Sequence, residues 1–127
     1  MADKNEYVGH LVRDRIPEIL RKEGYYPMTR VLNDEEYLFQ LHHALSKAIR
    51  IYLHQGSLSD LADVTEIINA IAQMRGVSVE EVLKIREYRA MTYGAYENRY
   101  YLEKLLTPEE KEQMDKREEE MGFEVQF

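Results

Sequence analysis

Four basic residues in the middle of the chain recur at a spacing suited to anion binding. They follow one another at steps of four, three and four residues and are His43, Lys47, Arg50 and His54. A helix has about 3.6 residues per turn, so it places all four along one side, the cationic stripe. Arginine grips a phosphate through two parallel hydrogen bonds and lysine adds a point charge, so this stripe suits an anion. A solvated basic face has the same pattern, and that interpretation stays open.

Two carboxylates that follow give the cationic stripe a third interpretation. Asp60 and Asp63 lie three residues apart, one predicted helix further along the chain. Lys47 and Arg50 can pair with them across a helix interface, which fixes the two helices together and binds no ligand. The stripe is therefore an anion site, a solvated face or one half of an ion-pair lattice.

Further polar and aromatic residues are candidates for contacts with a ligand. Glu66 and Asn69 share the polar side of the third predicted helix with Asp63. They suit a ribose or a base, although an exposed polar face explains them equally well. Tyrosines beyond that helix can stack on a nucleobase, or fill a core or a subunit interface. These tyrosines are Tyr93, Tyr96, Tyr100 and Tyr101.

The elements that position these residues are predicted to be mainly helices. The first helix is short and lies in RDRIPEILRKEG, with Asp14 as its cap and Pro17 in its first turn. The next segment, YYPMTRVL, has aromatic and β-branched residues around a proline and is predicted to be extended. The second helix carries the cationic stripe, begins after the cap Asn33 and ends at Gly56.

Three more helices are predicted after the second one. The third runs through SDLADVTEIINAIAQMRG and ends at Gly76. The fourth opens with a capping box at Ser78 and closes at Gly94. The last begins at Thr107 and is charged nearly all round, so we expect a solvated arm or one that packs on a partner chain.

Apolar spacing predicts which sides of the second and third helices pack together. The seam of the second helix follows steps of three and four residues along Leu38, Leu41, Leu45, Ala48 and Tyr52. His42 is expected to point toward that seam. We expect His42, His43 and His54 in surface or packing roles rather than as metal ligands. The seam of the third helix is predicted along Leu61, Val64, Ile68, Ile71 and Ala72.

Length and composition restrict the classes of function. The chain has 127 residues, no cysteine and a net charge of −7. This acidity argues against a general nucleic-acid binder, which usually presents a basic surface. No apolar run is long enough to cross a bilayer, and MADKNEYVGH has no signal-peptide apolar region. Together with the lack of cysteine, this predicts a cytoplasmic protein.

Three stretches carry a resemblance to a known family. HLVRDRIPEIL, TRVLNDEEYL and LSDLADVTEIINAIA resemble the MazG-like nucleotide pyrophosphohydrolases, in particular the small phosphoribosyl-ATP pyrophosphohydrolase-like proteins. The likeness runs from about Tyr7 to about Leu102. It implies an all-α, MazG-like helical bundle over residues 1–102, with a short extended N-terminal segment. Residues 103–127 then form a separate, charged C-terminal helical arm.

The resemblance implies a magnesium site that this chain has only in part. Family members hold Mg²⁺ through a Glu-Glu-x-x-Glu set and a Glu-x-x-Asp set, and split nucleoside triphosphates between the α and β phosphates. Asp60 and Asp63 match the second set, with aspartate in place of the family's glutamate. The three glutamates of the first set are replaced by Ser46, Lys47 and Arg50. A cation beside Mg²⁺ repels it, so we expect that metal-dependent hydrolysis has been lost.

The resemblance also covers the segment that ends the site in the family. Arg89 matches a basic residue there and Gly94 is kept, while Tyr93 stands for a usual arginine and Tyr96 for a phenylalanine. His10 stands where a lysine usually precedes LVRD. Arg89, Tyr93 and Tyr96 therefore join the cationic stripe as the predicted ligand-binding residues.

The sequence thus predicts a nucleotide-binding protein that binds or sequesters a nucleotide or a nucleotide-derived signal without a cofactor. One alternative is an active nucleoside triphosphate pyrophosphohydrolase with a rearranged Mg²⁺ site made by Asp60, Asp63 and Glu66, the first two being catalytic. A second alternative is a structural or interaction protein with an ion-paired dead site. The helical seams and the short chain predict a homo-oligomer, either a dimer or a tetramer.

Overall fold

A computed structural model describes the backbone of residues 4–125 and the side chains of residues 6–121, and its regular secondary structure is all helical. A single 3₁₀ turn at Lys4–Tyr7 precedes five α-helices. These are α1 (Ile16–Lys22), α2 (Asp34–Gln55), α3 (Leu58–Met74), α4 (Val79–Tyr93) and α5 (Pro108–Val125). The described residues contain no strand, so the predicted all-α fold is confirmed. The segment between α1 and α2 is neither helix nor strand.

Polar caps start α2 and α3, and the one at Asn33 lies where the sequence predicts it. The Glu36 backbone N–H donates to the Asn33 side chain at 2.9 Å, and α2 ends at Gly56, whose φ of 71° is left-handed. The Asp60 N–H donates to Ser57 Oγ at 3.0 Å and begins α3. Each cap satisfies an N–H that has no partner inside its helix, which stabilises it by about 1 kcal/mol.

The later caps are also as predicted, but the cap of α1 is not. Ser78 Oγ accepts from the Glu81 N–H at 3.3 Å, and Thr107 Oγ1 accepts from the Glu110 N–H at 3.2 Å. The prediction that Asp14 caps α1 is wrong, because Arg15 occupies that position and no side chain donates or accepts there. A proline in the first turn, which has no N–H of its own, already removes one of the donors that a cap would satisfy.

Helices α2 and α3 form a helical hairpin around a small core. Among the helices that the structure describes, they are the two that contact each other. Leu41 and Ala48 of α2 and Ala72 of α3 are the buried residues of the described chain. Burying a leucine side chain stabilises a fold by about 1.5–3 kcal/mol, and an alanine contributes less. The hairpin therefore has an apolar seam but little fully buried area.

The buried side of α3 is rotated from the predicted one. Leu61 and Ile68 are 41% and 36% exposed, so they were wrongly placed in the seam. On α3 a row of partly buried residues follows steps of four and three instead, and consists of Asp60, Val64, Ile67, Ile71 and Met74; Asn69 and Ala70 are partly buried as well. His42 on α2 is exposed as well, and does not point into the seam. A helix that is apolar on several sides gives more than one candidate stripe, and only the contact with α2 selects one.

The rotation leaves a second apolar surface on the hairpin, outside the seam. We call it the apolar flank, and it consists of Phe39, Ile49 and Leu53 on α2 and of Leu58, Leu61 and Ile68 on α3. The segment before α2 also exposes large apolar side chains, with Met28 at 99%. Exposed large apolar side chains that lie together on a surface favour an interaction site.

The chain divides into two compact units between Ala90 and Met91. The first contains the hairpin, and the second contains α5, where Lys111 donates to Asp115 at 2.6 Å along the helix surface. The division predicted after residue 102 follows the family resemblance and stays a prediction. None of the described helices is long and apolar enough to cross a membrane. The cytoplasmic location also stays a prediction.

Candidate functional site

The cationic stripe lies on the exposed side of α2. His43, Lys47, Arg50 and His54 are all exposed, whereas Leu41 and Ala48 on the same helix are buried against α3. An uninterrupted helix from Asp34 to Gln55 fixes the spacing of the four side chains. The stripe is therefore a regular row of donors that open solvent can reach.

The cations of the stripe have no acidic neighbour on their own helix. The chain contains no aspartate or glutamate from Tyr37 to Ser59, although its net charge is −7. Within the part of the chain that the structure describes, neither Lys47 nor Arg50 forms an ion pair or a side-chain hydrogen bond. The charges of Lys47 and Arg50 are thus not compensated by an ion pair within the described residues.

Asp63 has a different partner from the ones proposed for it. The Arg13 guanidinium donates to Asp63 Oδ1 at 2.7 Å, so the N-terminal segment and not α2 neutralises this carboxylate. Both side chains are more than half exposed, and such a pair contributes about 0–1 kcal/mol. The lattice between Lys47, Arg50 and the aspartates is absent from the described structure. Nothing local in the sequence around Arg13 indicates a contact fifty residues away.

Asp60 sits at the N-terminal end of the α3 seam with part of its carboxylate unsatisfied. Its Oδ2 atom is buried and has no hydrogen-bond partner among the described residues, while its backbone N–H donates to Ser57. A buried polar atom without a partner costs about 1–3 kcal/mol, and more when the group is charged. Asp60 therefore favours the approach of a donor or a cation.

The carboxylates of α3 do not fit the magnesium set that the resemblance implies. Mg²⁺ takes an octahedral shell of oxygens, usually one or two protein carboxylates together with waters and phosphates. Asp63 is held by Arg13 through one oxygen, Glu66 is exposed, and Asp60 has a buried oxygen without a partner. In the described chain no three acidic or histidine side chains come close enough to hold a metal ion. No catalytic step through magnesium is derived from this arrangement.

A third histidine, His10, extends the cationic stripe beyond α2. The rings of His10 and His43 stack with their centroids 6.0 Å apart and an angle of 3° between their planes. Both residues are exposed, so the imidazole nitrogens remain reachable from solvent. Sequence analysis identified His10 only as a replacement for a family lysine. The stacking places this residue of the N-terminal segment at the stripe.

A cavity of about 940 Å³ lies in the first unit beside the stripe. It is open to solvent on one side and is lined by the N-terminal segment, by α1, by the segment before α2, and by the first two turns of α2. Aromatic side chains of its lining are Tyr7, Tyr25, Tyr26 and Phe39. The helical patterns of the sequence do not predict this cavity. The row of aromatic and apolar residues around Pro27 is the feature that indicates it.

One ion pair closes part of the cavity wall. Arg30 donates to both carboxylate oxygens of Glu36, at 3.2 and 2.6 Å. This hydrogen bonding lowers the pKa of Glu36 below its usual value and raises the pKa of Arg30, with the charge of each partner acting in the same direction. The pair fixes the segment before α2 against the first turn of that helix.

The remaining predicted ligand-binding residues lie further along the chain. Arg89 is exposed on α4 in the first unit. Tyr93 is the last residue of α4 and Tyr96 follows it, and both are exposed residues of the second unit. Their role in binding a ligand stays a prediction.

Comparison of the chain with protein-family models, with curated proteins and with solved structures finds no match. The resemblance to the MazG-like proteins rests on the quoted motifs and stays a prediction. The function is therefore inferred from the cationic stripe and its surroundings.

Proposed function

We propose that this protein binds a phosphorylated nucleotide, or a signal derived from one, on the cationic stripe and holds it uncleaved. The observation that carries the proposal is the pair Lys47 and Arg50. They stand three residues apart on an exposed helix face and have no carboxylate partner in the described structure. Fixed cations then neutralise the charge of the phosphate, a role that Mg²⁺ has in the family that the motifs resemble.

The chemistry of the stripe suits a phosphate ester. The Arg50 guanidinium offers two parallel donors that match two phosphate oxygens, and the Lys47 ammonium adds a compact charge. Like charges at this spacing repel each other along the helix, and an anion bound between them relieves that repulsion. His43 and His54 add donors at either end of the row.

The alternative of a working pyrophosphohydrolase is less well supported. Its candidate ligands are Asp60, Asp63 and Glu66, and Arg13 already holds Asp63 at 2.7 Å. The alternative of an ion-paired dead site needs Lys47 and Arg50 to contact these aspartates. The two cations instead have no such partner in the described residues. A protein that binds a nucleotide and does not cleave it acts as a store or a sensor for that nucleotide.

The decisive experiment is calorimetric titration of the protein with a panel of mononucleotides, dinucleotides and cyclic nucleotides, without magnesium. We expect at least one to bind, and we expect Lys47→Glu and Arg50→Glu each to weaken it by about tenfold or more. Lys84→Glu is the matched control, because it reverses the charge of an exposed lysine on α4. Loss of affinity in the control as large as in the stripe variants would show general charge attraction and not a site.

Two other results would redirect the assignment. Binding by no member of the panel would overturn the proposal. Release of pyrophosphate from nucleoside triphosphates with Mg²⁺ or Mn²⁺, abolished by Asp63→Asn, would establish the hydrolase instead.

The apolar flank supports the further proposal that the protein forms a homo-oligomer. Two helical hairpins that bury such surfaces against each other form a four-helix arrangement, in which each hairpin supplies half of the core. A dimer of this kind has the same flank on both subunits, and a tetramer repeats the contact.

A further inference from the structure

We infer that the cavity beside the cationic stripe takes the nucleoside part of the ligand, so that the site selects a nucleotide over a bare polyphosphate. This inference rests on the proposed function, because it assumes that the phosphates lie on the stripe. It adds which end of the ligand carries selectivity and which residues provide it.

The cavity and the stripe share one side of α2. Residues at steps of four, three, four and three run from one to the other, and are Glu36, Gln40, His43, Lys47 and Arg50. Glu36 and Gln40 line the cavity, and Lys47 and Arg50 belong to the stripe. A helix rises about 1.5 Å per residue, so Gln40 and Lys47 are separated by roughly 10 Å along its axis. A ribose and a short phosphate chain bridge a distance of that order.

His10 marks the place where the cavity meets the stripe. It belongs to the cavity lining, and its ring also stacks on His43 of the stripe, with 6.0 Å between the centroids. A ligand that leaves the cavity past this histidine pair therefore arrives at Lys47 without crossing the buried seam. The two imidazoles offer donors to the phosphate nearest the sugar.

The lining of the cavity is suited to a nucleobase and not to phosphates. Its volume of about 940 Å³ falls within the range of small-molecule sites, about 300–1,000 Å³. Phe39 and the lining tyrosines offer rings on which a base stacks. Gln40 provides both a donor and an acceptor for a base edge. The only cation that faces the cavity, Arg30, is engaged by Glu36 in this part of the structure, so phosphates gain nothing by entering.

The test compares ligands that differ only in the nucleoside. ATP, GTP, CTP and UTP are titrated against inorganic triphosphate without magnesium, by calorimetry on the full chain. We expect at least one nucleoside triphosphate to bind about tenfold tighter than inorganic triphosphate. Phe39→Ala should remove that preference and leave the affinity for inorganic triphosphate within about twofold of wild type. Lys47→Glu should weaken both ligands.

Controls separate this inference from the proposed function. Phe39 is 69% exposed and also belongs to the apolar flank, so sedimentation checks the assembly of Phe39→Ala, and Ile85→Ala on α4 removes a comparably exposed apolar side chain as the control. Equal affinity for nucleotides and inorganic triphosphate, or a preference that survives Phe39→Ala, would overturn the inference while the stripe still binds phosphate. Binding of neither ligand would instead overturn the proposed function. A preference that survives while Phe39→Ala dissociates an oligomer in sedimentation would show that a second copy fills the cavity, which also overturns the inference.

Discussion

Arg13 donates to Asp63 at 2.7 Å, which joins the N-terminal segment to α3 across fifty residues of chain. This contact determines which cation neutralises Asp63. Asp63 is compensated by a residue outside the hairpin, so the cations of α2 are not needed to balance it. Lys47 and Arg50 are left available for an anion that is not part of the described chain.

The Arg13–Asp63 pair should contribute little to stability. Both side chains are more than half exposed, so water screens the attraction, and we expect a coupling of about 0–1 kcal/mol. A double-mutant cycle with Arg13→Ala and Asp63→Ala, measured by urea unfolding, gives this coupling. The same cycle with Lys111 and Asp115 on α5 serves as an exposed reference pair. A coupling well above that of the reference would mean that the contact is more buried in solution.

The Arg30–Glu36 pair should weaken in acid. The hydrogen bond from Arg30 lowers the pKa of Glu36 below its ordinary value of 4.5, so the folded state binds this proton less readily than the unfolded state. The stabilisation is therefore present above pH 4.5 and is lost as the pH falls through the lower, folded-state pKa. We expect a carboxyl NMR titration to show Glu36 titrating below its ordinary value. In Arg30→Gln the Glu36 midpoint should move up toward that value, and an unchanged midpoint would contradict the role given to Arg30.

Replacing Asp60 by asparagine should stabilise the protein. The buried Oδ2 atom has no partner in the described structure, and a neutral amide costs less to desolvate than a carboxylate. The loss of a favourable charge in the first turn of α3 opposes this gain by about 0.3–1 kcal/mol. We expect a net increase of about 1 kcal/mol in the free energy of unfolding, measured by urea denaturation. Asp34→Asn is the control, because it removes an exposed first-turn carboxylate from α2; a decrease for Asp60→Asn as large as for the control would show that Oδ2 is solvated.

The apolar flank should control association. Leu53→Glu and Leu61→Glu each place a charge where a second copy would bury a leucine, so we expect both to shift the protein toward monomer in sedimentation velocity. Leu102→Glu is the control, because Leu102 is exposed in the second unit and outside the flank. Wild-type protein that sediments as a monomer at every concentration would exclude the oligomer.

Most of the helix boundaries follow from the sequence because their causes are local. Asn33, Ser57, Ser78 and Thr107 accept hydrogen bonds from the backbone a few residues ahead, and any chain with these residues at these positions has the same options. Asp14 does not cap α1, because Arg15 occupies the cap position and Pro17 lies in the first turn. A local pattern predicts a helix start, but a neighbouring pattern can shift that start along the chain.

The site depends on contacts that no local pattern specifies. The cationic stripe is readable because helical spacing alone creates it. The Arg13–Asp63 pair, the stacking of His10 on His43 and the cavity each join segments far apart in the chain. The seam of α3 can be predicted from the sequence only in part. Leu61 and Ile67 belong to competing apolar stripes, and only the partner helix decides which is buried.

Within the described chain only Leu41, Ala48 and Ala72 are buried, and such a small core affects how the protein responds to its own concentration. In the proposed homo-oligomer, burial of the apolar flank adds to this small core and helps to offset the conformational entropy of the hairpin. Folding and assembly then become one equilibrium, and the melting temperature rises with protein concentration. The amount of bound nucleotide would then increase more steeply than the protein concentration. Dilution below the concentration at which the chains assemble would abolish binding, even at an unchanged ligand concentration.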